Sequence, residues 1–284
     1  MARIAALVVA YFSADDVREL AANLAAPEIT GPHHVDVYVI DNSEDAAELD
    51  RLRAVAGVAR LEPSRGNVGY GAGMNALAEA LDEPYDWIMI CNPDIRFEAG
   101  SIDALVRATD AHPDAALWGP RLVGDDGLVY PSARAFPSIR TGVGHALFAN
   151  IWRTNPWTLR YHQSRDLSPS EDSVVDWVSG ACMLVRPEAF RAVGGFDDSY
   201  FMYFEDVDLA WRLAARGWRA VYVPRAHILH SGAKSTSRQA SYMRQIHHQS
   251  AQRYLSRKYA GWHLAPVRLV LRIGLWFRRE FLHR

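Results

Sequence analysis

Five strand-length segments spaced by helical ones constrain this chain more than any other feature. "IAALVVAY" (residues 4–11) is a continuous apolar run of the buried-strand type, and "VDVYVI", "VARLE", "DWIMI" and "AALWGP" read as further strands before residue 121. Helical segments lie between them: one opening at Ser13, then "AAELDRLRAVA", the short "MNALAEAL" and "SIDALVRAT". Ser13 with Asp16 three residues later predicts a capping box. A strand that is apolar on both sides cannot face water, so the alternation implies an α/β chain whose mainly parallel sheet is covered by helices. Ligands of such sheets sit beyond the carboxyl ends of the strands. Polar residues gather there: Asp41 after the second strand, Arg65 and Asn67 in a glycine loop after the third, and Asp94 after a later one.

The rhythm changes near residue 124. "GDDG" is a turn signal, and residues 131–172 are rich in Pro, Ser, Arg and aromatics with weak periodicity, which predicts a long functional loop. "WVSGACMLV" then returns as a strand, "PEAFRAV" as a short helix with Pro187 near its start, and "WRAVYVP" as a strand leading to "RAHILHSGAKST". Between these lies "FMYFEDVDLAWRLAARG" (201–217), a helix with Val207, Ala210, Leu213 and Ala214 on one face and Gly217 to end it. A last helix is expected at about 238–258.

Charge and cysteine usage narrow the function classes. The 284-residue chain has a formal net charge of −2, which gives no nucleic-acid signal. Residues 251–284 nevertheless hold eight Lys/Arg against Glu280 alone. With Leu264, Val267, Leu271, Leu275 and Phe277 interleaved, this tail reads either as a packed helix or as an interfacial one drawn to anionic lipid. Cys91 and Cys182 each sit in an apolar run, which argues for reduced buried thiols. The apolar run at the N-terminus is too short for a signal peptide, so a cytoplasmic location is expected.

Three local patterns carry chemistry. Glu205, Asp206 and Asp208 crowd a helix's first turn directly after Phe201, Met202, Tyr203 and Phe204. Acidic residues there complement the helix dipole. Carboxylates held near apolar surface and near one another also have pKa values that spread, which is how a site prepares a base. "GNVGYGAG" contains G-x-x-G-x-G, but a dinucleotide fingerprint needs G-x-G-x-x-G after the first strand, and a plain turn explains this loop as well. Asp94 in "CNPD" could bind a hard divalent cation given a second ligand, and His227 and His230 follow another strand.

Taken in order, "VIDNSED", "RGNVGYGAGMN", "CNPD", the block from "WVSGACMLV" to "LAARGW" and "VPRAHILHSGAKST" resemble the inverting, family 2 nucleotide-sugar glycosyltransferases of GT-A fold. The resemblance covers about residues 4–236. It implies a GT-A domain over 1–236 with a Rossmann-like sheet, followed by a helical, basic, membrane-associating extension over 237–284. It also implies that Asp41, Arg65, Asn67, Gly69, Asn92 and Asp94 bind the nucleotide sugar. Asn92 stands where the family's metal motif has its first aspartate. Asp94 and His230 would hold a divalent metal, Mg²⁺ or Mn²⁺, and Asp206 would be the catalytic base with Glu205 beside it. Trp177, Ser179, Gly180 and Asp208 would serve the sugar and acceptor side. More narrowly, "YPSARAFPS", "NPWT" and the basic tail look like the L-rhamnosyltransferases of the actinobacterial cell-wall linker. That type implies a dTDP-sugar donor, a polyprenyl-diphosphate-linked sugar acceptor and work at the inner leaflet of the membrane; a homodimer is compatible with it.

Overall fold

The computed structural model describes residues 1–64, 66–138, 170–231, 240–266 and 269. Arg65, "NPWT" and half of the basic tail lie outside them. One sheet runs through the molecule. Its first half is parallel, with β3 (Val58–Pro63), β2 (His34–Asp41), β1 (Arg3–Ala10) and β4 (Trp87–Cys91) side by side in that order. The alternation of side chains along β1 explains its apolar sequence. Ile4, Ala6, Val8 and Ala10 join one buried cluster with α1 (Ala14–Ala25) and α5 (Ser101–Ala111), while Ala5, Leu7 and Val9 join another on the opposite face with α4 (Tyr70–Glu79).

The second half adds reversed strands to the mainly parallel sheet. β11 (Cys182–Val185) runs antiparallel between β4 and β6 (Ala115–Val123). β12 (Arg219–His230) lies parallel to β6, and β5 (Ile95–Phe97) is antiparallel to β12 at the sheet's edge. The sheet is therefore mixed. The mixture matters for function, because an antiparallel strand brings its beginning, not its end, to the edge where the parallel strands finish. Asp94 precedes β5 and Gly180 precedes β11, so both reach the same edge as Asp41, Asn92 and His230.

Several local expectations also change. The "WVSGACMLV" run splits at Ser179–Ala181 into β10 (Trp177–Val178), which pairs with β8 (Ala133–Arg134) in a separate ribbon, and β11. Ser13 makes no capping hydrogen bond to α1; the amide of Ala14 instead donates to Glu48 Oε1 at 2.7 Å, from a buried glutamate on α3 (Ala46–Arg53). Helix α4 starts at Tyr70, before the expected "MNALAEAL". Its glycine-rich start is a packing device. A Cβ on Gly69, at φ +89°, would lie 2.4 Å from the carbonyl oxygen of Phe201. "GDDG" closes the hairpin between β6 and β7 (Val129–Tyr130), and both cysteines are free and buried, directly opposite each other on β4 and β11.

After α6 (Pro187–Ala192) comes α7 (Glu205–Ala214), which is packed from two sides. Leu209, Ala210 and Leu213 face the sheet's core, and Val207 joins Tyr200 and Tyr254 in a second cluster, whereas Ala214, expected on the apolar face, is exposed. Tyr254 belongs to α8 (Ala240–Lys258), which seats against the segment before α7. Ser250 Oγ donates to the carbonyl of Met202 at 2.8 Å, and Lys258 Nζ to that of Pro137 at 2.8 Å. Helix α8 thus shares a core with the sheet domain across the expected boundary at residue 236. No helix among the described residues is long and apolar enough to cross a membrane.

Candidate active site

Two residues at the sheet's far end form the candidate metal pair. Ladder pairing sets Ile95 opposite His230, so the residue before Ile95 arrives beside the histidine. His230 Nε2 lies 3.3 Å from Asp94 Oδ1 and 3.3 Å from Asn92 Nδ2. Two donors at the first spacing fit neighbouring positions around an octahedral divalent ion, whose ligands sit about 3 Å apart when its bonds are about 2.1 Å long. Among the described residues no third histidine, cysteine or carboxylate completes a cluster. Substrate oxygens and water would fill the remaining positions. His227 points elsewhere in its contacts, with Nδ1 3.5 Å from Glu98 Oε2.

A short hub ties this pair to the acidic helix. The amide of Gly180 donates to Asp206 Oδ2 at 2.9 Å, and the next carbonyl, of Ala181, accepts from the amide of Asn92 at 2.8 Å. Tyr70 Oη donates to the carbonyl of Gly180 at 2.6 Å, and the amide of Ser179 donates to Ser132 O at 2.7 Å. A Cβ on Gly180 would lie 3.3 Å from Asp206 Cβ, a tight contact that would press on the aspartate.

The three carboxylates of the first turn occupy three different environments. Asp206 accepts from the amides of Gly180 and, at 2.8 Å, Val207. Burial pushes its pKa up, and the amides and the Arg134 charge act against that rise. Glu205 is 6% exposed, its Oε2 has no hydrogen-bond partner, and burial with the neighbouring Asp206 charge pushes its pKa up to about 8. Asp208 is fully buried among protein cations: it accepts from Arg212 Nε at 2.6 Å, Arg257 Nη1 at 3.3 Å and Tyr200 Oη at 3.4 Å. Those partners leave Asp208 a structural post between α7 and α8, in contrast to the acceptor-side place expected for it.

The aromatic approach to this helix also has a structural use. Tyr203 and Phe204 adopt left-handed backbone conformations, φ +66° and +68°, which cost about 1–3 kcal/mol each outside glycine. Both rings lie 5.4 Å from that of His247 on α8, so helix docking holds the turn that presents Glu205 and Asp206.

At the opposite end of the edge, Asp41 is 4% exposed and accepts from the amide of Ser43 at 2.9 Å. Asn42 Nδ2 donates to the carbonyl of Gly69 at 3.1 Å and to Asn67 Oδ1 at 3.4 Å. The structure therefore brings Asp41, Asn67 and Gly69 together; Arg65 lies outside the described residues. Asn42 and Tyr70 escaped the sequence reading. Asn42 carried only its adjacency to Asp41 as a signal, and Tyr70 carried none. Trp177 forms part of the ribbon with β8, its Nε1 donating to the carbonyl of Ala135 at 3.1 Å.

Comparison with known proteins fits this layout. The sequence profile described as "Glycosyltransferase like family 2" matches residues 2–251. A Mycobacterium tuberculosis protein named N-acetylglucosaminyl-diphospho-decaprenol L-rhamnosyltransferase is 42% identical over 92% of this chain and 87% of its own length. Rhamnosyltransferase WbbL of Escherichia coli is 29% identical over 89% of this chain and 92% of its own. Among solved structures, the Pyrobaculum calidifontis mannosyltransferase PcManGT, in complex with GDP-Man and Mn²⁺, superposes with a TM-score of 0.62 at 16% identity, covering 98% of this chain and 70% of that one. That likeness is one of fold, the GT-A arrangement of mixed sheet and flanking helices. With the profile spanning nearly the whole of the described domain, the chain belongs to the family 2 glycosyltransferases.

Proposed function

We propose that the chain transfers L-rhamnose from dTDP-rhamnose to N-acetylglucosamine carried on a polyprenyl diphosphate, with inversion at the anomeric carbon. The observation that carries this reading is the 42% identity, over 92% of the chain, to a relative whose name states that sugar and that acceptor. The site supports the chemistry. Asp206, held by two backbone amides, takes the proton from the acceptor hydroxyl. The hydroxyl oxygen forms its bond to the anomeric carbon as the bond from that carbon to the diphosphate breaks, so dTDP leaves from the opposite face. No covalent link to the protein forms. Asp41, Asn67 and Gly69 line the nucleotide's place, with Arg65 as a further member. The lipid of the acceptor and the basic tail support work at the cytoplasmic face of the membrane.

Asp94 and His230 would hold Mg²⁺ or Mn²⁺, which when bound supplies neutralising charge for the departing diphosphate. Asp94→Ala and His230→Ala should each weaken Mn²⁺-dependent dTDP binding by at least about 10–100-fold, the loss expected even for a group that only supports a ligand. Calorimetric titration with and without Mn²⁺ reads this. Full metal-dependent affinity in His230→Ala would move the assignment to His227.

The donor is tested by thermal denaturation and by turnover. Ligand at about 100 times its Kd stabilises a fold by about 2.7 kcal/mol. dTDP-rhamnose should therefore raise Tm clearly more than UDP-glucose or UDP-N-acetylglucosamine, and it alone should give product with the lipid-linked acceptor. Equal or reversed ranking sinks the rhamnose assignment and leaves the transferase class standing.

A further inference from the structure

We propose that Arg134 reads the phosphate attached to the acceptor sugar and so selects acceptors carried on a diphosphate over neutral glycosides. The proposal rests on the rhamnosyl-transfer reading above. Its basis is a guanidinium fixed in place before any ligand arrives. Arg134 sits opposite Trp177 in the β8–β10 ribbon, and its Nε donates to the carbonyl of Pro131 at 2.8 Å. Its guanidinium carbon lies 5.7 Å from the ring centres of both Tyr130 and Trp177. Within cation–π range of two rings and with Nε–H tied down, the guanidinium keeps both terminal amino groups without a protein acceptor among the described residues.

Location gives this cation its task. Tyr130 stands 6.4 Å, ring to ring, from His230, and the Arg134 charge reaches Asp206. The side chain thus lies beside Tyr130, the neighbour of the pair suited to the donor's diphosphate, and its charge acts on the carboxylate suited to the acceptor's hydroxyl. A planar guanidinium offers parallel N–H groups that match two oxygens of one phosphate, and its rigidity limits the entropy lost on binding. An acceptor sugar whose hydroxyl meets Asp206 and whose face meets Trp177 would carry its phosphate toward this fork.

The test uses the full chain with Arg134→Gln and Arg134→Lys. Rates are measured on a short-chain polyprenyl-diphosphate N-acetylglucosamine and on a neutral alkyl N-acetylglucosaminide, with dTDP affinity and Tm measured alongside. For Arg134→Gln, KM for the diphosphate acceptor should rise about 10–100-fold, the value of a hydrogen-bonded charge, with kcat held within about threefold. The neutral acceptor should lose at most about threefold, the share that passes through the missing charge at Asp206, and dTDP affinity should be kept. Arg134→Lys, which keeps the charge and loses the fork, should fall between. Equal losses on both acceptors would overturn the proposal in favour of an effect on Asp206 or on folding. Weakened dTDP binding would overturn it in favour of the donor's diphosphate. No rhamnosyl transfer by the wild type would defeat the functional reading itself, whereas wild-type transfer with an unselective Arg134→Gln defeats only this inference.

Discussion

Asp206→Asn should bind dTDP as the wild type does and lose transfer by about 10²–10⁴-fold, the usual contribution of a positioned base. The substitution keeps shape and one acceptor oxygen but turns an amino group toward one of the two amides that now hold the carboxylate, so the cost in folding is about 1–3 kcal/mol. The proton acceptor is what disappears. Burial raises the Asp206 pKa, so the acid limb of the rate profile should lie above the ordinary carboxylate value of about 4. Glu205, raised to about 8, holds its proton near neutrality and leaves the charge to Asp206.

Glu205→Gln should therefore be much milder at neutral pH. It should also raise Tm by an amount that grows with pH. In the folded chain this group keeps its proton up to about 8, against about 4.3 in an unfolded one. Its contribution is thus complete at low pH and is lost as pH rises through that window. A neutral amide has no such loss. Steady-state rates at saturating substrates, with melting curves at low and high pH, decide the matter. If Asp206→Asn keeps more than about a tenth of the rate while Glu205→Gln is dead, the base is Glu205.

Asp208→Ala should be the most destabilising change in this region, costing about 3–5 kcal/mol and lowering Tm by on the order of 10 °C. Asp208 has no exposed surface, and its removal leaves the largely buried Arg212 without a carboxylate and takes one of two from Arg257. Arg212 Nη2 is already buried without a partner, so little slack exists to absorb the loss. Arg257, which also pairs with Asp197, is the link to α8. Releasing that helix frees the left-handed turn at Tyr203 and Phe204, so transfer should fall as well. Thermal denaturation reads the first effect. An unchanged Tm with a raised acceptor KM would return Asp208 to the acceptor side.

The sequence alone determined the α/β class and the site's edge, because buried strands must be apolar on both faces and polar residues then collect where they end. The strand-end places of Asp41, Asp94 and His230 and the helix start at the acidic turn were legible on that ground. Tertiary structure decided the rest. The antiparallel insertion of β11 brings Gly180 to Asp206, and the pairing of β5 with β12 brings Asp94 to His230. Both depend on partners more than a hundred residues apart or on strand direction, which local pattern does not encode. The same holds within the acidic turn itself. Glu205, Asp206 and Asp208 look alike in sequence, but each successive residue of a helix turns about 100° from the last. One therefore is buried with an oxygen that finds no hydrogen-bond partner, one meets the amide of Gly180, and one the arginines of α7 and α8, so the neighbours that fold around them, not their own chemistry, set the three apart.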